Sequence, residues 1–291
     1  MYIDSFKVFC DLVGTSSFSK SAEKNKITQS AVSQQVRNLE IRFGVTLIER
    51  GRRQVTLTPE GNAFLEACTK ILDIWDSFEN RLGELKNEVA GEIKVAATFT
   101  IGLYELPALV KAFVAKHPDV TVKVIYGTTE AVCTLVENGD ADAGLIPFSS
   151  KARDLISENF SEDELVIVTA PQHPLATSGA LPLSTLDGQK MVTFASDSAT
   201  RKFIDKQLRD AGAKTVNCGA FDSVETIKGV VQVENCVSIV PAKSIAKEVA
   251  AGTLAQVTIQ GDALKRPLGY VVSRTRTRAP GLKEFLEQLK G

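Results

Sequence analysis

Residues 18–44, FSKSAEKNKITQSAVSQQVRNLEIRFG, decide the fold at the start of this chain. Ser17 precedes a short amphipathic run, a break follows at 25–28, and a longer run covers 29–43 before Gly44. A serine N-cap and a glycine after the last turn are typical helix boundaries. The serine oxygen accepts a free backbone N–H, and glycine adopts the left-handed conformation without strain. The segment therefore predicts two helices joined by a tight turn.

Apolar residues at helical spacing also precede this pair of helices. Phe6, Phe9 and Leu12 share one face, so we predict a first helix over 3–13 that Gly14 ends. Three helices of these lengths indicate a helix-turn-helix unit, in which the last helix is the one that enters a DNA groove.

The outward face of the third helix carries side chains that suit base readout. Glutamine and arginine pair bidentately with adenine and guanine edges, and serine contacts bases or phosphates. The predicted DNA-binding residues of this helix are Thr28, Gln29, Ser30, Ser33, Gln34 and Arg37.

Residues 47–58, LIERGRRQVTLT, predict two short strands around an arginine-rich turn. Taken alone, an arginine-rich turn is a solvated surface turn as often as it is a DNA contact. Next to a recognition helix, however, such a hairpin forms a wing whose arginines reach phosphates or the minor groove. We therefore add Arg50, Arg52 and Arg53 to the predicted DNA-binding residues.

The N-terminal residues resemble those of the LysR-type transcriptional regulators. The resemblance is carried by Phe18-x-x-x-Ala22, TQSAVSQQVR at 28–37, Leu39-Glu40, Phe43-Gly44, Leu47-Ile-x-Arg50, Arg53 and LTPEG at 57–61. Ile48 departs from the pattern, since the family more often has phenylalanine there, and this is a packing exchange. The resemblance implies a regulator that binds double-stranded operator DNA as a homodimer or homotetramer, with RNA polymerase as a further partner.

Thr58, Pro59 and Glu60 predict the start of a long linker helix, which we place at 58–89. Apolar residues recur along it with a seven-residue period, which Arg81 interrupts in one series. The seam predicted to pair two subunits consists of Phe64, Ala67, Ile71, Ile74, Phe78 and Leu85. A helix packed only on its own domain is the alternative, and the sustained period favours the dimer seam.

From Gly91 onward, strands alternate with helices, which is typical of a parallel sheet with crossover helices. The strand at 165–170 leaves a first lobe, and the strand at 266–273 returns to it. The predicted domains are a winged helix-turn-helix at 1–61, the linker, effector lobe I at 91–164 and 266–291, and lobe II at 165–265. The fold class is α/β with an N-terminal all-α winged helix-turn-helix. The two lobes resemble the effector domain of LysR-type regulators, which is similar in fold to periplasmic solute-binding proteins.

Hydroxyl side chains follow several of the predicted strands, where each strand gives way to a helix. Ligands of such folds lie beyond the carboxyl ends of the strands, and free N–H groups at helix starts bind anions. The predicted effector-binding residues are Thr98, Phe99, Thr100, Pro147, Phe148, Ser196, Thr200, Arg201, Phe221 and Asp222. Arg201 is the expected clamp for an acidic group, whereas Asp222 disfavours a highly charged anion. A small organic acid or an inorganic anion is the expected effector, and ordinary helix capping by serine and threonine is the alternative.

Composition and charge argue against several classes of protein. Hydrophobic residues make up 44% of the chain and charged residues 24%, and no apolar run is long enough to cross a membrane. The first residues lack the features of a signal peptide, so we expect a cytoplasmic protein without a membrane partner. Residues 1–61 hold nine basic and six acidic residues in a chain of net charge −1, so DNA binding is expected only at this end.

The sequence lacks the motifs of a nucleophile elbow, a phosphate-binding loop and a zinc protease. Five scattered cysteines and two histidines offer little for a metal site, so we expect neither an enzyme nor a metal or cofactor. Two alternative functions stay open. One is a stand-alone solute-binding module, and the other is a thiol-based redox sensor that uses Cys218 and Cys236.

Overall fold

The computed structural model of the chain describes residues 2–49, 55–85, 91–275 and 280–290. These residues form two compact units, one within residues 1–85 and the other within residues 86–291. Each unit has its own apolar core, and each is described by itself.

The described residues of the first unit form four helices. They are α1 (Tyr2–Thr15), α2 (Phe18–Asn25), α3 (Gln29–Phe43) and α4 (Pro59–Leu85). The core between them consists of Val8, Phe9, Leu12, Ala22, Val32, Val36, Leu39 and Leu47.

Ser17 and Gly44 set ends of α2 and α3 as the sequence predicts, and Thr28 caps α3 in addition. The Ser17 side chain accepts the N–H of Lys20, and Thr28 Oγ1 accepts the N–H of Ala31 at 3.2 Å. Gly44 ends α3 in the left-handed conformation, with φ of 67°. The two helices of the predicted helix-turn-helix are therefore closed by their own side chains.

The prediction that Gly14 ends α1 is wrong. The helix continues to Thr15, whose Oγ1 donates to the carbonyl oxygen of Asp11 at 2.7 Å. The chain turns at Ser16, which has φ of 50°. A hydroxyl that satisfies a carbonyl of the last turn extends the helix past the glycine.

A β-bridge between Ile48 and Leu57 marks the base of the predicted wing. The two residues pair antiparallel, and the N–H of Glu49 donates to the carbonyl oxygen of Thr56 at 2.9 Å. Residues 50–54 lie outside the described part of the chain.

The second unit contains the strands and the other helices of the described residues. Its strands are β1 (Gly91–Thr98), β2 (Val120–Gly127), β3 (Ala143–Pro147), β4 (Leu155–Thr169), β5 (Ala180–Leu181), β6 (Lys190–Phe194), β7 (Val216–Phe221), β8 (Ser238–Pro241), β9 (Ala255–Ile259) and β10 (Lys265–Ser273). Its helices are α5 (Phe99–Tyr104), α6 (Leu106–Lys116), α7 (Thr129–Asn138), α8 (Ala199–Asp210), α9 (Val224–Val233), α10 (Ala246–Ala250) and α11 (Pro280–Leu289), with short 3₁₀ helices at Leu183–Leu186 and Ala242–Ile245.

The main sheet is mixed, whereas alternation of strands and helices predicts a parallel one. Its strand order is β2-β1-β3-β10-β4-β9-β5, and β8 also pairs with β4. Strands β2, β1 and β3 are parallel, but β10 runs antiparallel to both β3 and β4. The reason is that β4 leaves one lobe and β10 returns to it, so the two crossings run in opposite directions side by side.

Strand β4 begins at Leu155, ten residues before the apolar run that predicts it. Its first half is rich in exposed polar residues, which hides the strand from a reading of hydrophobicity. This half pairs with β10, and in that register Asp163 lies directly opposite Arg266. The junction of the two lobes thus places two charged residues side by side.

Each lobe packs helices against its strands. The lobe that contains β1 to β3 buries Ile93, Val95, Ala97, Leu145, Tyr270 and Phe285 among others. The other lobe buries Val166, Ile167, Val192, Ile204, Ile227 and Ile239 among others. The strand ends of both lobes are therefore held by rigid cores.

Candidate functional site

Helix α3 presents the predicted readout residues to solvent. The residues Thr28, Gln29, Ser30, Ser33, Gln34 and Arg37 are all exposed. Gln34 Nε2 donates to Asn38 Oδ1 at 2.9 Å, one turn further along the helix. The opposite face is buried in the core, so a groove of DNA can approach the polar face without disturbing the fold.

Glu40 joins α3 to the wing. Its Oε1 accepts the N–H of Leu47 at 2.9 Å and the N–H of Ile48 at 3.3 Å. Carboxylate bonds to backbone N–H groups are strong, so Glu40 fixes the first wing strand relative to the recognition helix. Sequence reasoning used Glu40 only as part of a motif and missed this role. The predicted residues Arg50, Arg52 and Arg53 lie outside the described residues.

Helix α4 exposes an apolar stripe. The exposed fractions are 39% for Ile71, 70% for Ile74, 51% for Phe78 and 41% for Leu82, and Ala67 is exposed as well. These residues form the stripe that we call the α4 seam. Leu82 was not predicted to belong to it, because the heptad reading continued to Leu85, whose side chain lies outside those that the structure describes.

Phe64 does not belong to this stripe, which corrects the predicted start of the seam. Its ring contacts Phe6, Phe9 and Phe43 with ring centroids 5.7, 5.1 and 5.2 Å apart. Phe64 therefore anchors α4 to its own helical head, and the α4 seam begins one turn later.

A cavity of about 90 Å³ lies at the carboxyl ends of the parallel strands of the second unit. The residues that line it end or follow β1 (Thr98, Phe99, Thr100), β2 (Gly127, Thr128, Thr129, Glu130), β3 (Pro147), β6 (Phe194, Asp197, Ser198, Thr200) and β7 (Asp222), and Arg266 of β10 completes the set. This is where ligands of α/β folds bind. Both lobes contribute to the lining.

The cavity brings together six of the ten predicted effector residues: Thr98, Phe99, Thr100, Pro147, Thr200 and Asp222. The other four predicted residues are not among its lining. Ser196 is exposed, and Phe221 packs against the core of its lobe. Phe148 adopts φ of 64° and packs on Phe203, with ring centroids 5.2 Å apart.

Arg201 is not the predicted clamp. Its Nε donates to both carboxylate oxygens of Asp205 at 2.7 Å, and its Nη1 donates to Thr193 and to the carbonyl oxygen of Phe194. All of these partners belong to its own lobe, so the guanidinium is used for structure.

Arg266 occupies the place that sequence reasoning gave to Arg201. The residue is 1% exposed, and its Nη2 donates to Asp163 at 2.9 Å. The same guanidinium donates to Thr200 Oγ1 at 2.8 Å and to Thr100 Oγ1 at 3.2 Å, so it bridges the two lobes. Sequence reasoning placed Arg266 only at the start of the returning strand and missed this role.

Burial dominates the electrostatics of this ion pair. It raises the pKa of Asp163 above the ordinary carboxyl value although Arg266 opposes the shift, and it lowers the pKa of Arg266. The pair is thus a charge-neutral unit held at a desolvation cost.

Two hydroxyl side chains that line the cavity are not used as helix caps. Thr98 and Ser198 occupy N-cap positions but make no side-chain capping bond, so the ordinary-cap explanation does not apply to them. Thr98 Oγ1 is buried without a hydrogen-bond partner among the described residues. Thr128, in contrast, caps α7 through the N–H of Ala131 at 3.3 Å.

Two lysines provide further contacts between the lobes. Lys228 is 5% exposed and donates to Tyr104 Oη at 3.0 Å and to Glu248 at 2.7 Å. Lys243 pairs with Glu105 at 2.8 Å. Tyr104 is the last residue of α5 and Glu105 follows it, so the helix that begins at the cavity ends in contacts with the other lobe.

The thiol of Cys236 does not have the environment of a reactive cysteine. Burial and the neighbouring Cys218 raise the pKa of Cys236 to about 12, whereas reactive thiols have lowered pKa values. Among the described residues, no cluster of histidine, cysteine, aspartate and glutamate has the composition of a metal site. In the same residues, no helix is long and apolar enough to span a membrane.

Each of the two units matches a known protein family. Residues 3–62 match the family described as "Bacterial regulatory helix-turn-helix protein, lysR family", and residues 86–291 match the family described as "LysR substrate binding domain". The HTH-type transcriptional regulator CysL of Bacillus subtilis (strain 168) is 30% identical over 290 residues, which are 100% of this chain and 97% of CysL.

Two solved structures share the fold over the whole chain. A full-length OxyR variant from Pseudomonas aeruginosa has a TM-score of 0.78 at 20% identity, with 100% of this chain and 95% of that one covered. Full-length CbnR in complex with its target DNA has a TM-score of 0.68 at 22% identity, with 100% and 99% covered. The predicted fold class is thereby confirmed, and the named relatives are transcriptional regulators rather than enzymes. Both family matches and the CysL alignment lead to one conclusion: this chain belongs to the LysR family of transcriptional regulators.

Proposed function

We propose that this regulator reads operator DNA with the exposed polar face of α3 and that a small effector in the cavity alters its DNA binding. The LysR family combines a DNA-binding helix-turn-helix with an effector-binding domain, and the chain has both parts. Because bacterial DNA lies in the cytoplasm, we expect a regulator that binds it to be cytoplasmic. An effector changes DNA binding only if it has different affinities for the two arrangements of the regulator.

The unpartnered buried hydroxyl of Thr98 is the observation that carries the effector site. A buried hydroxyl without a hydrogen bond costs free energy, and a ligand in the cavity that bonds to Thr98 recovers that cost. The hydroxyls of Thr100 and Thr200 add to it. Each accepts a bond from Arg266, so each keeps its own proton to donate. Three hydroxyl donors fit one acidic group, as in a small organic acid or an inorganic anion.

Base readout by α3 predicts a sequence-specific loss of affinity. We expect Gln34→Ala or Arg37→Ala to cost about 1–3 kcal/mol on a specific site, and much less on random DNA. A specific site is first obtained by selection from random double-stranded DNA with the full chain. Fluorescence anisotropy of the selected and random duplexes then gives the two affinities.

Two controls separate readout from general electrostatics. Arg209→Ala removes an exposed arginine from α8 of the second unit and is expected to change neither affinity. Arg53→Ala is expected to weaken both duplexes together and to flatten the salt dependence, as a phosphate contact does. Equal losses on both duplexes for Gln34→Ala and Arg37→Ala would contradict the assignment of α3 to base readout.

We propose further that the α4 seam pairs two copies of the chain, so that two recognition helices meet a palindromic site. Ile74 is 70% exposed, and exposed apolar stripes with heptad spacing bury themselves in a partner helix. Ile74→Glu is therefore expected to convert dimers to monomers at micromolar concentration, which sedimentation velocity measures directly.

Thr69→Glu is the matched control for the seam, because Thr69 lies on the opposite face of the same helix and is exposed. It is expected to leave the sedimentation coefficient unchanged. An unchanged coefficient for Ile74→Glu would remove the α4 seam as the pairing surface.

A further inference from the structure

The rim of the cavity carries three carboxylates. Glu130, Asp197 and Asp222 line it from the starts of α7, α8 and α9, and all three are exposed. Among the described residues, none of them has an ion-pair or hydrogen-bond partner. Acidic residues at helix starts are common because they match the positive helix ends. Three carboxylates around one cavity nevertheless give its rim a negative charge.

The positive charges near the cavity do not balance these carboxylates. Arg266 is the basic residue among those that line it, and Asp163 neutralises it at 2.9 Å. Each helix N-terminus contributes the equivalent of roughly half a positive charge, and α7, α8 and α9 contribute three such ends. Three full negative charges therefore exceed the positive contributions, and a multiply charged anion is repelled.

The opposite end of the cavity donates hydrogen bonds. Thr98 is 8% exposed and its oxygen is unpartnered, while Thr100 and Thr200 accept from Arg266 and keep their protons for a ligand. The cavity thus has a donor end for an anionic group and an acidic rim for a cationic one. Its volume of about 90 Å³ fits a small ligand.

We propose that the effector is a small zwitterion, namely an α-amino acid or a close derivative, with its carboxylate at the threonine hydroxyls and its ammonium group at the acidic rim. This inference rests on the proposed function, because it assigns the ligand class of the same cavity. A monoanion without an amine leaves the rim charges uncompensated, and an amine without a carboxylate leaves the threonine donors unused.

The test compares ligands that differ only in the amine. The full chain is titrated by calorimetry with L-alanine against L-lactate, L-serine against L-glycerate, and L-aspartate against L-malate. Ethanolamine serves as a probe with only a cationic group, and sulfate and phosphate serve as probes with only anionic groups. In at least one pair, the amino acid is expected to bind at least tenfold more tightly than its hydroxy acid, and more tightly than ethanolamine or either inorganic anion.

Three variants locate the two ends of the ligand. Asp197→Asn combined with Asp222→Asn is expected to reduce the amino-acid preference to less than threefold, whereas Asp210→Asn, an exposed acid at the far end of α8, leaves it unchanged. Thr98→Val removes the unpartnered hydroxyl at constant shape and is expected to weaken the amino acid at least tenfold without loss of thermal stability.

The outcomes distinguish this inference from the proposed function. A hydroxy acid or inorganic anion that binds as tightly as the amino acid, and that Thr98→Val weakens, overturns the zwitterion and leaves the effector cavity standing. Amino-acid binding that Thr98→Val does not change, or no binding by any probe, overturns both the zwitterion and the cavity as the site for ligands of this size.

Discussion

Arg266→Met is expected to lower the free energy of unfolding of the second unit by about 3–5 kcal/mol. The substitution keeps an apolar stem of similar length but leaves the buried carboxylate of Asp163 without its partner, and removal of one partner of a buried pair has this cost. For a unit of this size, each kcal/mol shifts the melting temperature by about 2–4 °C, so a fall of about 6–20 °C is expected. Thermal unfolding followed by circular dichroism measures it.

Lys265→Met is the matched control for this prediction. Lys265 is the neighbouring residue on β10 and pairs with Glu162 at 3.3 Å, but both side chains of that pair are more than half exposed. An exposed pair of this kind contributes at most about 1 kcal/mol. Equal costs for Lys265→Met and Arg266→Met would show that the buried pair does not hold the lobes together.

Two further measurements attribute the cost to the carboxylate. Replacement of both partners, Asp163→Leu with Arg266→Met, is expected to recover much of the loss, because no charge is left buried. The cost of Arg266→Met alone should also shrink as the pH falls. Without the arginine, the folded-state pKa of Asp163 rises further above its unfolded value. A raised folded-state pKa favours the folded state at low pH, and this contribution is lost as the pH rises through that pKa.

The sequence predicts the helical head almost residue by residue, because its signals are local. Ser17 and Gly44 act on the backbone within four residues of their own positions, and the structure shows both in their predicted roles. Thr28, predicted only as a DNA-binding residue, also caps α3. The error at Gly14 has the same local origin, since the hydroxyl of Thr15 donates to the carbonyl oxygen of Asp11 in the last turn of α1.

The sequence predicted the threonines of the cavity, but it did not predict most of the charged residues that line it. A strand end followed by a helix start is a local pattern, and it located Thr98, Thr100 and Thr200 in the cavity. The choice between Arg201 and Arg266 depends on which arginine a carboxylate from a distant strand can reach. Asp163 stands 103 residues before Arg266, so only the antiparallel register of β4 and β10 brings them together.

The same pattern was present and unused at the end of β2. Thr128, Thr129 and Glu130 follow a predicted strand and open a predicted helix, as the chosen residues do. A consistent application of the rule to each strand of the first lobe would have included them. Their omission removed a carboxylate from the site and favoured a simple anion as the ligand.

Gly61→Ala is expected to destabilise the first unit by about 1–3 kcal/mol and to abolish specific DNA binding at concentrations where the native chain is saturated. A Cβ at this position would overlap the carbonyl oxygen of Leu47 and would lie 3.1 Å from a methyl carbon of Leu57. The carbonyl of Leu47 cannot retreat freely, because it also accepts the N–H of Thr58 at 3.1 Å. Urea unfolding followed by the fluorescence of Trp75, the single tryptophan, reports on α4 and measures the loss.

Gly14→Ala tests whether the effect of Gly61→Ala comes from this close approach rather than from the loss of a glycine. Gly14 lies within α1, and a Cβ added there would meet no neighbouring group within 4 Å, so alanine gains helix propensity at this position. A gain of up to about 1 kcal/mol is expected. Opposite signs for the two substitutions follow from the structure, because α4 and the base of the wing meet at Gly61 with no room for a side chain. Equal and small effects would mean that the base of the wing is free to move away from α4.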